Sequence, residues 1–403
     1  MARVLIVYKE FPAPSVGHAG GRAVYRFMES LHRRGHCLHL VARLRREEAP
    51  LVEETAPICA SITTVPHHTA LPGPRPVAFA RSYLALRRAA ARALREVRPD
   101  LLHVEVAQTA FALLGLRRPP SSFRTLDVNW YLLEQRAARL RGIRRAGART
   151  LARVLRWFEP WLYRRYGVIG AVSEGDRRLL APRCAPRPVL TLPLVPTLLE
   201  GEAEPAVPPG PNVLFVGAMY RAFNVEGVQW FLDGVWPRVV AEVPDARFYI
   251  VGHRPPPEVQ AVHDGRRVIV TGFVEDVAPW YRAAAVFVSP LLVAGGILQK
   301  VLDALATRVP VVATSVSNHG VGGTPGEHLL VADEPDGFAE AVVRLLTDPA
   351  ERERLGRAGS RFVATRYDLE AALDRWEAVV REHGGPGIDR PTPRRSGRDP
   401  LSG

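Results

Sequence analysis

The sequence predicts an α/β protein made of two parallel-sheet domains. Three observations point there. Short apolar runs of strand length alternate with amphipathic helical stretches along almost the whole chain. A Pro-, Gly- and Glu-rich stretch without apolar period, Glu200–Pro211, divides that alternation into two series. The chain has 403 residues and 47% apolar content, enough for two or three domains with real cores.

The first series opens with a buried strand at Val4–Tyr8, a loop Lys9–Gly21, a helix from Ala23 to about Arg34, Gly35 as its C-cap, and a second strand from Leu38. This βαβ unit implies a parallel sheet. An Arg-rich helix at Arg81–Val97 follows, with strands at Asp100–Val104 and Arg124–Leu126, the latter ending at Asp127. Next come a helix Leu151–Tyr166 carrying Trp157, Trp161 and Tyr163, and a strand Val168–Val172. Ser173 is placed to cap the helix after it, with Asp176 at the third position.

The second series has strands at Asn212–Val216, Arg247–Val251, Val268–Thr271, Val286–Ser289, Val311–Ala313 and Leu329–Val331. Its helices fall at Asn224–Val235, Val277–Ala284, Ile297–Ala306, Pro335–Leu346 and Pro349–Arg366. The expected organisation is a first domain over 1–200, a linker 201–211, a second domain 212–367, a helix 368–383 packing back on the first domain, and a disordered basic tail 384–403. Open α/β sheets bind ligands beyond the carboxyl ends of their strands, so two such domains place the site in the cleft between them.

The formal net charge is +13, and all but two of the 54 basic residues are Arg, the exceptions being Lys9 and Lys300. That skew, with 36 Pro, fits an Arg- and Ala-favouring genome better than selection for phosphate binding, and no nucleic-acid module is visible. The charge still favours anionic partners, and the Arg clusters between Arg139 and Arg156 are suited to peripheral contact with an anionic membrane. Cys37, Cys59 and Cys184 show neither paired nor metal-type spacing, as expected of a cytoplasmic protein. The N-terminal apolar run is too short for a signal peptide, and no run is long enough for a transmembrane helix.

The segment Ala285–Ala313 carries the most chemistry. A buried strand runs into Gly295-Gly296 and then into a helix with Lys300 on its first turn and Asp303 on the same face. Free backbone N–H groups and the positive end of the helix dipole suit an anion such as a diphosphate.

In its runs VLFVGAMYRAFNVEGVQWFLDGVWPRV, ARFYIVGHRPPPEV, VIVTGFVEDVAPWYRAAAVFVSP and GGILQKVLDALATRVPVVAT, the second half resembles the donor-binding domain of a GT-B retaining glycosyltransferase, family 4-like and of group 1. AGGRAVYRFMESLHRRGHCLHLV, DLLHVEVAQTA and VIGAVSEGDRRLL match the first domain more loosely. Together they resemble sugar transferases of exopolysaccharide clusters. The resemblance implies a GT-B architecture, two Rossmann-like domains facing a central cleft, over about residues 1–380.

It also implies roles for residues. Gly20 and Gly21 line the cleft near donor and acceptor. Gly217 and Arg221 lie in a loop whose basic residue touches the donor diphosphate. Gly252 and His253 end one strand, with His253 the more ordinary as a polar loop residue. Phe273 and Val274 follow another strand in the loop that holds the nucleobase, and Phe273 is equally suited to the core. His103 or Glu105 is expected to face the cleft as a catalytic group, with Asp127 as a third polar residue. Of the family's Glu-x7-Glu pair, Gly295 stands at the first position and Asp303 at the second, with Gly296 and Ile297 in the same loop. Asp303 reaches about 1.5 Å less far than Glu towards a ribose hydroxyl.

Lys300, Arg221 and the Gly295-Gly296 amides would stabilise a departing diphosphate. No Asp-x-Asp metal motif ends a strand, so no cofactor or metal is expected. The implied activity is transfer of a sugar from a nucleotide-sugar donor to a polysaccharide or lipid-linked acceptor, with retention. The alternative is a weakened or non-catalytic partner in a polysaccharide assembly.

Overall fold

The computed structural model describes residues 1–198 and 204–383; residues 201–203 of the expected linker and the tail 384–403 lie outside the described residues. The first domain is a seven-stranded parallel sheet of order β3-β2-β1-β4-β5-β6-β7. Its strands are β1 (Arg3–Tyr8), β2 (Cys37–Leu44), β3 (Ser61–Pro66), β4 (Leu101–Glu105), β5 (Ser121–Thr125), β6 (Val168–Ala171) and β7 (Val189–Thr191). The second is a six-stranded sheet of order β10-β9-β8-β11-β12-β13. Its strands are β8 (Asn212–Val216), β9 (Arg247–Val251), β10 (Val268–Gly272), β11 (Val286–Ser289), β12 (Val311–Ala313) and β13 (Leu330–Val331). In each domain the order reverses beside the first strand, which opens a crevice at the strands' carboxyl ends.

Central strands are apolar on both faces because helices cover both. Val4, Ile6 and Tyr8 of β1 join one core and Leu5 and Val7 the other. The edge strands β3 and β7 were not legible as strands. Ser61–Pro66 buries only Val65, so it lacks the apolar run, and Val189–Thr191 is too short to show a period.

Several helix boundaries differ from the sequence reading. The first helix runs Ala19–Arg33, four residues earlier than expected, because His18 caps it by accepting from the Gly21 N–H at 2.9 Å. The helix carrying Trp157, Trp161 and Tyr163 runs Gly142–Tyr163 rather than Leu151–Tyr166, and a separate helix, Asn129–Arg139, precedes it. Ser173 caps Glu174–Cys184 through the Asp176 N–H at 2.9 Å.

The last helix, Leu369–Glu382, returns to the first domain. Leu369, Leu373 and Trp376 enter the core of β1 and the first helix. Arg34 clasps it through Glu370 and Asp374, both at 2.8 Å, and Glu377 at 3.1 Å.

Candidate functional site

The loops after the strands of both sheets meet, and Arg221 sits where they converge. This exposed residue precedes the helix Ala222–Trp230. Burial lowers the pKa of Lys9, at the end of β1, and of Lys300, in the second domain; Arg43 and then Arg221 add to it for Lys9, and Arg221 adds to it for Lys300. The Lys300 ammonium is pulled down to about 7. Both lysines of a chain with 54 basic residues thus feel the charge of Arg221.

Local packing fixes Lys300. Its Nζ donates to Asn224 Oδ1 at 2.8 Å and lies 4.1 Å from the centre of the Phe215 ring. Asn224, buried, is held in turn by donating to the Ala218 carbonyl at 2.9 Å. Gly217 makes this possible: a Cβ there would fall 2.7 Å from Lys300 Nζ and 2.9 Å from Asn224 Nδ2. Gly252 closes the same corner, since a Cβ on it would lie 1.8 Å from the Gly217 carbonyl oxygen.

On the first-domain side, burial pushes the Glu10 carboxyl up, but the hydrogen bond that His18 Nε2 donates to it at 2.9 Å, together with the charge of Lys9, outweighs burial and holds it at about 2. Burial raises the pKa of Asp127 against the opposing pull of Lys9 and Arg221. Gly20 lies beside Tyr8 Oη and Leu126, each 3.2 Å from where its Cβ would be, while Gly21 is pressed against its own cap, His18.

Beside the cations runs a row of aromatic rings. His253 meets Tyr220 edge-on with centroids 6.5 Å apart and Phe273 edge-on at 5.7 Å. Phe273 is 70% exposed and Tyr220 55%, so burial in a core explains neither. Val274 and Ile297 serve packing: both belong to the apolar cluster of Val301 and Leu302.

The Gly295-Gly296 loop is held by the first domain. Gln135 makes a two-way bond with Ala294, donating to its carbonyl at 2.9 Å and accepting from its N–H at 3.0 Å. Leu132 occupies the space that a side chain on Gly295 would need, at 2.7 Å from the Cβ position. Gly296 has φ +59, and a Cβ there would lie 2.1 Å from the Leu126 carbonyl oxygen. The helix after the loop starts at Gln299.

Asp303 has a different engagement from the expected ribose contact. Its carboxylate accepts from the Thr197 N–H at 2.6 Å, Thr197 Oγ1 at 2.9 Å, the Leu198 N–H at 3.2 Å and Gln299 Nε2 at 3.0 Å. Both oxygens hold the chain as it enters the linker.

His103 and Glu105 do not face the cleft, which corrects the sequence expectation. Both are wholly buried. His103 stacks on Phe27 at 4.6 Å, meets Trp376 edge-on at 5.9 Å, and bonds Ser122 at 2.7 Å and Glu105 at 3.0 Å. Glu105 pairs with Arg124 at 2.7 Å. Burial drives the His103 pKa down despite Glu105, whereas Arg124 and His103 hold the Glu105 carboxyl low against burial. The pair is a scaffold under the first and last helices.

Comparison with known proteins agrees with the two-domain fold. Residues 20–193 match the family described as Glycosyltransferase Family 4, and residues 210–348 that described as Glycosyl transferases group 1. The chain has the two domains of a GT-B glycosyltransferase. It is 28% identical over 165 residues to an uncharacterized 44.6 kDa protein in the cps region of Klebsiella pneumoniae, covering 39% of this chain and 42% of that one. It is 29% identical over 188 residues to alpha-D-kanosaminyltransferase of Streptomyces kanamyceticus, covering 43% and 46%. The matches thus span less than half the length of these curated relatives.

In fold, it is similar to sucrose-phosphate synthase from Thermosynechococcus elongatus, with TM-score 0.72, 17% identity and coverage of 95% of this chain and 99% of that one. It is also similar to Anabaena HepE in complex with UDP-glucose, with TM-score 0.64, 12% identity and coverage of 95% and 100%.

Lys9, Tyr220, Leu132 and Gln135 were not legible as site residues in the sequence. Lys9 had one available signal, the rarity of lysine in the chain. Tyr220 stands next to Arg221, where a lone aromatic in a loop has no distinguishing pattern. Leu132 and Gln135 gave none, because their importance lies in contacts with the other domain.

Proposed function

We propose that this glycosyltransferase moves a sugar from a nucleotide-sugar donor to a polysaccharide or lipid-linked acceptor, with retention at the anomeric carbon and without a metal. The convergence of Lys9, Lys300 and Arg221 on the cleft carries this reading. A departing nucleoside diphosphate develops negative charge on its oxygens as the C1–O bond breaks, and cations fixed in a partly dehydrated corner stabilise that charge without reorganising. The acceptor hydroxyl then bonds to C1 from the face the diphosphate leaves, and its proton passes to the departing phosphate oxygen. The exposed row of Tyr220, His253 and Phe273 offers the π-faces on which a base would stack.

A nucleotide-sugar is also what HepE holds. The cps-region relative supports the choice of acceptor class, and a cytoplasmic location belongs to the same reading. The alternative of a non-catalytic partner in a polysaccharide assembly is not favoured, since a relative of this chain is a named transferase.

The test is thermal stabilisation by UDP and GDP, followed by hydrolysis of the matching nucleotide-sugars by the wild type and Lys300→Ala. Stabilisation by one nucleotide and loss of hydrolysis in the variant are expected. No stabilisation by any nucleotide sinks the donor site, and undiminished hydrolysis by the variant removes Lys300 from the chemistry.

A further inference from the structure

The helix Gly142–Tyr163 presents an apolar stripe to solvent. Ile143 is 92% exposed, Trp157 82%, Val154 55%, Leu151 50% and Trp161 41%. At about 100° per residue, Ile143, Val154 and Trp161 fall nearly on one line, with Trp157 and Leu151 within about 80° on either side. The opposite side carries the buried residues Ala152, Glu159 and Tyr163. Exposed Phe111 extends the stripe, because it meets Phe158 edge-on at 5.9 Å and Phe158 lies 5.4 Å from Trp161.

This is not a scatter of single apolar residues. Half of the large apolar side chains exposed among the described residues are here. Charge separates the patch from an ordinary protein interface. Between Arg136 and Arg165 there are ten arginines and one acid, Glu159, which is buried. Arg149, Arg153 and Arg164 flank one margin of the stripe and Arg144 the other, all exposed. Arg165 lies over the Trp161 ring at 4.0 Å. An apolar strip with indoles along it and cations on both margins matches the acyl boundary and the phosphates of a bilayer surface. No helix among the described residues is long and apolar enough to cross a membrane.

We infer that the Gly142–Tyr163 helix docks this protein flat on an anionic bilayer surface, with Ile143, Leu151, Val154, Trp157 and Trp161 in the acyl boundary and the flanking arginines on lipid phosphates. The inference stands on the outer face of the first domain and does not depend on how the cleft binds its donor.

Co-sedimentation of the full chain with vesicles of equimolar phosphatidylglycerol and phosphatidylcholine tests it, with pure phosphatidylcholine vesicles alongside. Binding to the anionic vesicles that weakens as salt rises is expected. The double variant Val154→Ser/Trp157→Ser and, separately, Arg149→Gln/Arg153→Gln should each bind about tenfold or more weakly, while melting at the wild-type temperature because the replaced side chains are exposed. Absence of binding to the anionic vesicles, or variants that bind as the wild type does, overturns the inference. So does a wild-type dimer in sedimentation velocity that Trp157→Ser dissociates, since a second copy would then cover this face.

Discussion

Burial and Arg221 hold the Lys300 ammonium at about 7, against an ordinary 10.5. If a nucleoside diphosphate binds against Lys300, its charge offsets both effects and the pKa returns towards the ordinary value. Binding must then take up protons. At pH 8 a group titrating at about 7 is about one-tenth protonated, so complexation should draw about 0.9 proton from solvent, falling to about 0.1 at pH 6. Above pH 7 the affinity should therefore weaken by up to about tenfold per pH unit.

Calorimetric titration with UDP and GDP in Hepes and in Tris reads the uptake, because the two buffers differ in ionisation enthalpy. The nucleotide's own terminal phosphate also titrates near pH 6, so the quantity to compare is the difference between the wild type and Lys300→Met. Tight binding with equal uptake in both proteins at pH 8 would refute the placement of Lys300 against the diphosphate. The free protein should respond to pH in the opposite sense. The folded state binds the Lys300 proton less tightly than the unfolded chain, so this group's stability contribution rises from about pH 7 to about 10.5 and is lost as pH falls through about 7.

Glu105→Leu should cost about 3–5 kcal/mol in urea unfolding, because it strands the buried Arg124 guanidinium; an inactive variant of wild-type stability would restore Glu105 to the chemistry. Phe273→Ala should leave stability within about 0.5 kcal/mol of wild type, yet weaken the stabilising nucleotide by about 1–3 kcal/mol in the same calorimeter. Gly296→Ala should lower both the melting temperature and turnover, since its methyl would lie 2.1 Å from the Leu126 carbonyl oxygen. A loss of about 1–3 kcal/mol is expected, and unchanged melting would mean that the two domains do not meet at this loop.

The α/β class and eleven of the strands were legible because a strand buried on both faces needs an unbroken apolar run, as in Val4–Tyr8 and Val286–Ser289. The helix Asn129–Arg139 escaped notice. It buries only Trp130 and Ala137, and the rest of its working surface faces the second domain through Leu132 and Gln135. Such contacts leave no local period. His103 and Glu105 failed for a related reason. A polar pair at a strand end announces a cleft, but here the returning helix Leu369–Glu382 lays Trp376 over it, from far along the chain. The cations were half legible: Lys300 and Arg221 stand in a motif, whereas Lys9 joins them only when the domains face each other.

Composition and geometry together explain why those two lysines stand apart. In a chain that uses arginine almost everywhere else, an ammonium at positions 9 and 300 is informative because the two cations are not interchangeable. Arginine stays charged in almost any surroundings. A lysine pressed against Phe215 and Gly217 can shed much of its charge while the site is empty and regain it when an anion arrives. The Lys300 Nζ sits 2.7 Å from where a Cβ on Gly217 would be, so any side chain at 217 would collide with it. The pairing of Gly217 with Lys300 is thus one steric decision: glycine clears the wall, and the compact ammonium fills the space beside it. The same logic runs through the neighbouring loop, where Gly295 and Gly296 admit Leu132 and the Leu126 carbonyl from the other domain. A glutamate at position 295 would displace Leu132, so the missing first carboxylate and the tight closure of the domains are two aspects of one arrangement. The charge the carboxylate would have brought is absent from a cleft whose fixed charges are then mostly positive, which suits a site that must receive a diphosphate.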